Sequence, residues 1–255
     1  MEPPAGGDVA VVVPAKDEQD RIAATVQAAR QLPGVDLVIV VDDGSRDATA
    51  RLAEGAGATV VRQVRNRGKG AAMESGAEAV RVLDRHEGRD TPRHLLFLDA
   101  DLADSAKAAA PLIDPVRAGE ADMTIAVFAT TVKLGGHGFV VRLARDGIKR
   151  ATGWDAAQPL NGQRCLTRKA FEAGLPLAAG FGVETALTID LLRKGLRVTE
   201  VEVPLSHRAT GTDWRAQVHR GRQFRDVFRA LATRDPALTR GVGRFSAGFQ
   251  KFSGR

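Results

Sequence analysis

Residues 37–45 read Leu-Val-Ile-Val-Val-Asp-Asp-Gly-Ser, an apolar run that changes abruptly into acids and a glycine. Such a run, rich in β-branched residues, is typical of a strand buried on both faces. The same change follows two other apolar runs: Val9–Pro14 leads into Ala-Lys-Asp-Glu, and His94–Leu98 leads into Asp-Ala-Asp. The carboxyl ends of parallel strands meet at one edge of a sheet, where ligands bind. The sequence therefore predicts a carboxylate-rich site at that edge. Because the carboxylates repel one another, such a site requires a cation or hydrogen-bond donors from a ligand.

Helical stretches separate these strands, and the first carries Ile22, Val26 and Ala29 at helical spacing. Strands alternating with helices predict parallel βαβ units, that is, an α/β fold with a mostly parallel central sheet flanked by helices. The predicted strands are Val9–Pro14, Leu37–Val41, Ala58–Arg62, His94–Leu98, Asp122–Phe128, Gly162–Thr167 and Leu196–Leu205. The predicted helices are Gln19–Leu32, Ala48–Glu54, Ala71–Arg85, Phe139–Thr152, Phe181–Lys194 and a basic amphipathic one from Trp214 to Leu231.

The positive charge of the chain is concentrated near its end. The 255 residues contain 37 Lys and Arg against 31 Asp and Glu, a formal net charge of +6. From His207 to Arg255 there are 11 basic and 3 acidic residues, so the first 206 residues carry a net charge of −2. We expect a flexible N-terminus over residues 1–8, a near-neutral main domain over 9–208 and a basic helical C-terminal extension over 209–255.

The composition excludes several classes of protein. A single cysteine, Cys165, excludes an internal disulfide framework and a cysteine-based zinc site. No apolar run approaches the roughly 20 residues of a membrane-spanning helix, and the first eight residues show no signal-peptide pattern. The basic extension has no tyrosine to interleave with its cations, which argues against nucleic-acid binding. We expect a cytoplasmic protein.

The pair of acids in Asp99-Ala100-Asp101 follows a buried strand. Residues two apart on a strand point to the same side, so both carboxylates are expected to face one point. Hard oxygen ligands suit Mg²⁺ or Mn²⁺, which also bind nucleotide phosphates. The alternative is an exposed strand end with two solvated acids, and the other acids at the same edge favour the metal site over it.

Two loops near this edge have both a structural and a functional interpretation. Asp42-Asp43-Gly44-Ser45 is either a simple turn or a contact to the edge of a nucleotide base. Arg65–Gly70 opens a helix, and its glycines and Lys69 suit an anion, although basic glycine-containing loops are often only solvated. It contains no Walker sequence, which argues against an ATPase or a GTPase.

Three downstream features complete the candidate site. The segments Gln158–Gln163 and Gly180–Glu184 both contain glycine, and Glu184 stands near the start of a helix. It is either a helix-terminal acid stabilised by the dipole or a base or anchor for an acceptor hydroxyl. His207 is either a surface histidine or a metal ligand acting with the acids at the sheet edge.

The order of these motifs resembles the GT-A fold glycosyltransferases of family 2: Val-Pro-Ala-x-Asp-Glu, Asp-Asp-Gly-Ser, Gly-Lys-Gly, Asp-x-Asp, Gly-x-Gly-Val-Glu and a late histidine. Gln158–Gly162 and Gly180–Glu184 are also similar to glucosyl-3-phosphoglycerate synthases. The resemblance spans roughly Val9–Arg208. It implies a GT-A (Rossmann-like) domain with a nucleotide-diphosphate sugar donor and Mg²⁺ or Mn²⁺. The resemblance implies that the donor nucleotide is bound by Pro14, Ala15, Glu18, Asp43, Ser45, Lys69 and Asp99. It implies that the sugar and acceptor side is lined by Asn161, Gly162 and Glu184. The implied metal ligands are Asp101 and His207, and the implied catalytic residues are Glu184 and Asp101.

The acceptor stays open at this stage, between a phosphorylated small molecule and a polyprenyl phosphate. Glu184 is followed by Thr185 where family 2 enzymes usually have a second acid, and Leu205 and Ala209 flank the late histidine where the phosphoglycerate enzymes carry basic and amide residues. The alternatives are a sugar-nucleotide pyrophosphorylase and a non-catalytic nucleotide-sugar binding protein. The basic extension has three alternative interpretations. It attaches the protein peripherally to the inner face of a membrane, it is a helix packed on the domain, or it is a partly disordered end. A homo-oligomer is a further option.

Overall fold

The apolar runs form the strands of one central sheet in the computed structural model, which describes residues 8–128, 138–204 and 214–234. Within these residues the sheet has seven strands: β1 (Val9–Ala15), β2 (Val35–Asp42), β3 (Thr59–Arg62), β4 (His94–Phe97), β5 (Met123–Phe128), β6 (Arg164–Leu166) and β7 (Val198–Val203). Their order is β3-β2-β1-β4-β6-β5-β7. Only β6 among them runs antiparallel to its neighbours, so the mostly parallel α/β sheet is confirmed.

Helices cover both faces of this sheet. They are α1 (Ile22–Ala29), α2 (Thr49–Gly55), α3 (Lys69–His86), α4 (Asp114–Arg117), α5 (Gly138–Thr152), α6 (Arg168–Ala173), α7 (Val183–Arg193) and α8 (Trp214–Ala232), with 3₁₀ turns at Ala103–Leu112 and Gly180–Gly182. The Ala103–Arg117 segment and α6 were not predicted. Ala103–Leu112 contains Pro111 and forms a 3₁₀ helix rather than an α-helix, so it lacks the 3.6-residue period by which helices are recognised.

Alternating residues of the strands fill two separate cores. Val11 and Val13 of β1 pack with α1 and the Ala103–Leu112 turn on one face, while Val12 packs with α3 and α7 on the other. This alternation is the two-residue period of a strand buried on both sides. The strands are therefore held rigidly, and the loops that leave their carboxyl ends start from fixed positions.

A third, smaller core joins α8 to the rest of the domain. Val227 and Leu231 of α8 are fully buried against Ile148 of α5 and Ile189 of α7. Leu231 lies so close to Gly147 that a Cβ there would be 2.3 Å from a leucine methyl. The predicted basic helix is thus packed on the domain over the part that the structure describes. Residues 235–255 lie outside that part, as do His207 and residues 130–137. No helix among the described residues is long and apolar enough to cross a membrane.

Candidate active site

The loops that follow β1 and β2 are tied together by hydrogen bonds between them. The backbone N–H of Asp17 donates to Ser45 Oγ (2.9 Å), and the backbone N–H of Arg46 donates to Asp17 Oδ1 (2.8 Å). The N–H of Glu18 donates to Thr49 Oγ1 at 2.8 Å. These bonds place two predicted donor residues, Glu18 and Ser45, in a fixed relation at the carboxyl edge of the sheet. Pro14 and Ala15 end β1 beside Val41 and Asp42 of β2.

Asp43 organises the glycine-containing loop before α3. Its Oδ1 accepts from the backbone N–H of Arg67 (2.6 Å) and its Oδ2 from that of Gly68 (2.9 Å). Gly44 has a φ of +72°, and a Cβ on it would lie 2.9 Å from the backbone nitrogen of Asn66. The turn after β2 therefore holds the loop that starts α3. These two bonds leave further lone pairs on the carboxylate of Asp43. Its predicted contact to a nucleotide base is therefore compatible with this role and stays a prediction.

Lys69, the first residue of α3, links two carboxylates from distant parts of the chain. Its ammonium lies 2.7 Å from Asp99 Oδ1 and 2.7 Å from Glu184 Oε1. Burial opposes the charge of this ammonium, but the neighbouring charges of Asp99 and Glu184 outweigh it and raise the pKa of Lys69 above its ordinary value. The predicted donor-side and acceptor-side residues thus meet at one cation. This bridge was not predicted, because the sequence suggested only a phosphate partner for Lys69.

The segment before β6 reaches the same point. Gln163 donates through Nε2 to Asp99 Oδ2 at 2.6 Å. The side chain of Asn161 donates to the carbonyl of Ala126 (2.8 Å) and accepts from the backbone N–H of Gln163 (2.9 Å). Asn161 is buried and shapes the loop, whereas Gln163 contacts a predicted donor residue. Gln163 belongs to the segment Gln158–Gln163, but the sequence indicates no contact for it, because a side-chain amide alone does not identify its partner.

Gly162 leaves no room for a side chain beside this network. A Cβ at this position would lie 2.5 Å from Lys69 Nζ and 2.7 Å from Asp99 Oδ1. Both atoms are ends of side chains, so an alanine would displace the network rather than the backbone. We therefore expect Gly162→Ala to lower kcat/KM for the sugar donor by about 100-fold, the cost of a misplacement of roughly 1 Å, with little change in the thermal unfolding midpoint.

Gly55→Ala is the matched control for this substitution. Gly55 ends α2, has an ordinary φ and would meet nothing within 4 Å of an added Cβ. Steady-state kinetics and thermal unfolding of both variants check the expectation. Full activity of Gly162→Ala would show that the position of Lys69 does not matter for turnover.

Asp101 faces a different partner from Asp99. Its Oδ2 lies 3.6 Å from Arg21, whereas Asp99 contacts Lys69 and Gln163. Strand β4 ends at Phe97, so both acids lie beyond the strand and the two-residue period no longer applies to them. The two acids therefore have different partners among the described residues, and their meeting at one point stays a prediction.

Asp101 lies close enough to the carboxylate of Glu18 for the two charges to interact. Burial and then the charge of Asp101 raise the pKa of Glu18 above its ordinary value. Asp101 is about one third exposed, and hard oxygen ligands of this kind fit Mg²⁺ or Mn²⁺. Over residues 8–128, 138–204 and 214–234 no three His, Cys, Asp or Glu side chains group as a metal site. Strand β7 ends at Val203, and the other predicted ligand, His207, lies outside the described residues.

Arg164 is a fully buried residue that the sequence did not single out. It donates to the carbonyls of Asn161 (2.8 Å), Pro159 (3.1 Å) and Glu184 (2.9 Å). Burial lowers the pKa of Arg164 to about 10, against the opposing charge of Glu184. The guanidinium fastens the loop before β6 to the first turn of α7, and thereby sets the distance between Gly162 and Glu184. A lone arginine in a short strand gives no signal of this role.

Comparisons with known proteins agree with this arrangement. Residues 10–171 match the model of glycosyl transferase family 2. Glycosyltransferase AglJ of Haloferax volcanii is 31% identical over 94% of this chain and 77% of its own length. Glucosyl-3-phosphoglycerate synthase of Mycobacterium tuberculosis is 29% identical over 94% of this chain and 77% of its length.

Solved structures extend the similarity to the fold. Glucosyl-3-phosphoglycerate synthase of M. tuberculosis in complex with Mn²⁺, UDP and phosphoglyceric acid superposes with a TM-score of 0.68 at 28% identity, covering 90% of this chain and 79% of that one. A complex with Mg²⁺ and UDP gives 0.67 at 26% identity, with 90% and 80% covered. The chain belongs to glycosyl transferase family 2 and is a glycosyltransferase that depends on a nucleotide sugar.

Proposed function

We propose that the protein transfers a sugar from a UDP-sugar to a phosphate-bearing acceptor, assisted by Mg²⁺ or Mn²⁺. The observation that carries the proposal is the single ammonium of Lys69 between Asp99 and Glu184. The synthase to which this chain is similar binds Mn²⁺, UDP and phosphoglyceric acid in one structure and Mg²⁺ and UDP in another, which supports the choice of donor and of acceptor class. The departures around Thr185, Leu205 and Ala209 argue against phosphoglycerate itself as the acceptor.

Donor binding is assigned to the loops that the structure ties together. Glu18 and Ser45 lie on the two loops joined by hydrogen bonds, with Pro14 and Ala15 at the end of β1. The ammonium of Lys69 is assigned to the diphosphate, at the start of α3 and directly after the loop that Asp43 holds through the amides of Arg67 and Gly68. Negative charge builds on this diphosphate as the sugar leaves, so Lys69 stabilises the transition state more than the bound donor.

Metal binding is assigned to Asp101 together with His207. When bound, the cation supplies charge stabilisation to the departing diphosphate. Asp99 is held by Lys69 and Gln163 and is assigned to the donor side rather than to the metal. Burial, and after it the charge of Asp101, raises the pKa of Glu18, and the second of these causes supports a cation close to Asp101.

Acceptor binding is assigned to Asn161, Gly162 and Glu184. Glu184 is only 6% exposed and stands in the first turn of α7. Its carboxylate is paired with Lys69, and we assign to it the hydrogen bond from the acceptor hydroxyl. Arg164 keeps this turn and the Gly162 loop in register.

A panel of nucleotide sugars tests the function. We expect UDP release from at least one UDP-sugar with Mg²⁺ or Mn²⁺, stimulation by an acceptor that carries phosphate, and loss of release in EDTA. Phosphoglycerate, polyprenyl phosphate and simple glycosides are compared as acceptors. Formation of a nucleotide sugar from a nucleoside triphosphate and a sugar phosphate would instead indicate a pyrophosphorylase. Tight donor binding without turnover on any acceptor would indicate a binding protein.

A further inference from the structure

Two phenylalanines stack on each other at the surface where α5 and α8 meet. The rings of Phe139 and Phe224 have centroids 5.5 Å apart, and the ring of Phe228 lies 6.2 Å from that of Phe224. Phe139 is 68% exposed and Phe224 36%. Exposed apolar side chains that occur singly need no explanation, but a cluster on two elements indicates an interaction site. These three residues are called the aromatic face below.

The aromatic face is set in the most basic part of the described chain. By sequence, α5 has four basic residues and one acid, and α8 has five arginines and one acid. The two helices together carry a net charge of +7, more than the +6 of the whole protein. Three arginines close to the aromatic residues in sequence, Arg142, Arg225 and Arg229, are exposed. Apolar rings among arginines are suited to a surface that is apolar and anionic at once.

The opposite side of α8 contacts the turn Gly180–Gly182, which precedes Glu184. The backbone N–H of Phe181 donates to Asp226 Oδ2 at 3.3 Å, and a Cβ on Gly182 would lie 2.5 Å from the carbonyl oxygen of Asp226. These residues form the 3₁₀ turn that leads directly into Glu184. Since Val227 and Leu231 anchor the helix in the third core, a surface bound by the aromatic face has a fixed position relative to the acceptor side.

We propose that the aromatic face docks the protein on an anionic lipid surface. Rings of this kind insert at the level of the lipid headgroups, while the arginines pair with lipid phosphates. The charge of the two helices selects this occupant over a second copy of the chain, which would bring like charges together. A consequence, which rests on the proposed function, is that the phosphate-bearing acceptor is a lipid phosphate in that surface rather than a soluble one.

Co-sedimentation of the full chain with vesicles tests the docking. We expect binding to vesicles of phosphatidylglycerol and phosphatidylcholine, weakened by salt, and little binding to phosphatidylcholine alone. Phe139→Ser/Phe224→Ser and Arg225→Gln/Arg229→Gln are each expected to weaken binding about tenfold or more. The matched controls are Val82→Ser/Leu175→Ser and Arg51→Gln/Arg85→Gln, exposed pairs elsewhere on the surface that should bind like the wild type.

Activity separates the docking from the proposed function. Both docking variants should retain UDP release with water or a soluble acceptor, and lose the stimulation by polyprenyl phosphate in vesicles. Absence of binding by the wild type, or equal binding by all variants, would overturn the docking. A dimer that Phe139→Ser/Phe224→Ser dissociates, without vesicle binding, would assign the face to a second copy. Vesicle binding without any UDP release would sustain the docking and refute the function.

Discussion

Asp101→Ala is expected to abolish sugar transfer at saturating donor, a loss of about 1,000-fold or more in kcat. Asp101 is the predicted metal ligand that lies within the described residues, and it is a third exposed at the carboxyl edge of the sheet. Its partner Arg21, at 3.6 Å, is half-exposed and loosely held, so removal of the carboxylate costs little stability. The loss is therefore expected in turnover and not in folding.

Asp104→Ala is the matched control, because this exposed acid stands three residues further along, in the 3₁₀ turn Ala103–Leu112. UDP release measures turnover, and titration with Mn²⁺ followed by electron paramagnetic resonance measures metal binding directly. Asp101→Ala should lose both signals, and Asp104→Ala should keep both. Turnover close to that of the wild type in Asp101→Ala would remove Asp101 from the metal site.

Lys69→Met is expected to lower both activity and stability. Without the ammonium, Glu184 is left without its cation in a site where it is only 6% exposed, and Asp99 loses its shared partner. Removing one member of a buried ion pair costs several kcal/mol; we expect about 2–3 kcal/mol here, because Lys69 is itself a quarter exposed. Loss of the cation facing the diphosphate should lower kcat/KM by a further factor of about 100–1,000.

A double-substitution cycle separates these two effects. Lys69→Met/Glu184→Gln removes both charges, and it should recover most of the stability lost in Lys69→Met. It should recover none of the activity. Urea unfolding and steady-state kinetics on the two single variants and the double variant supply the numbers. If the double variant is as unstable as the sum of the single ones, the 2.7 Å pair between Lys69 and Glu184 does not contribute to folding.

The strands and the edge of the sheet could be predicted because burial on both faces leaves a direct trace in the sequence. Val9–Pro14 and Leu37–Val41 are almost wholly apolar, and the acids after them mark the point where each strand reaches solvent. The helices α3 and α7 followed from spacing and from their glycine-containing starts. The family resemblance rested on these same edge residues, and it is confirmed.

The contacts inside the site could not be predicted, since they depend on residues far apart in the chain. Lys69 meets Glu184 across more than one hundred residues, and no local pattern encodes that distance. Arg164 satisfies its donors with carbonyls, which every residue has, so its partners leave no mark on the sequence. The different partners of Asp99 and Asp101 could not be predicted either, because the strand ends two residues before Asp99 and the period of a strand no longer applies there.

The reversed direction of β6 has a consequence for how this enzyme can change its substrate. Because Arg164 at the start of β6 pairs with Phe97 at the end of β4, the loop proposed to bind the acceptor enters the sheet where the loops proposed to bind the donor leave it. The segment proposed for the donor thus follows β4, and the segment proposed for the acceptor precedes β6, the neighbouring strand of the sheet. With these assignments, new lengths or sequences before Asn161 alter the proposed acceptor side, while β4 and the acids after it keep their positions. The fold offers a place where acceptor choice can diverge without loss of the donor.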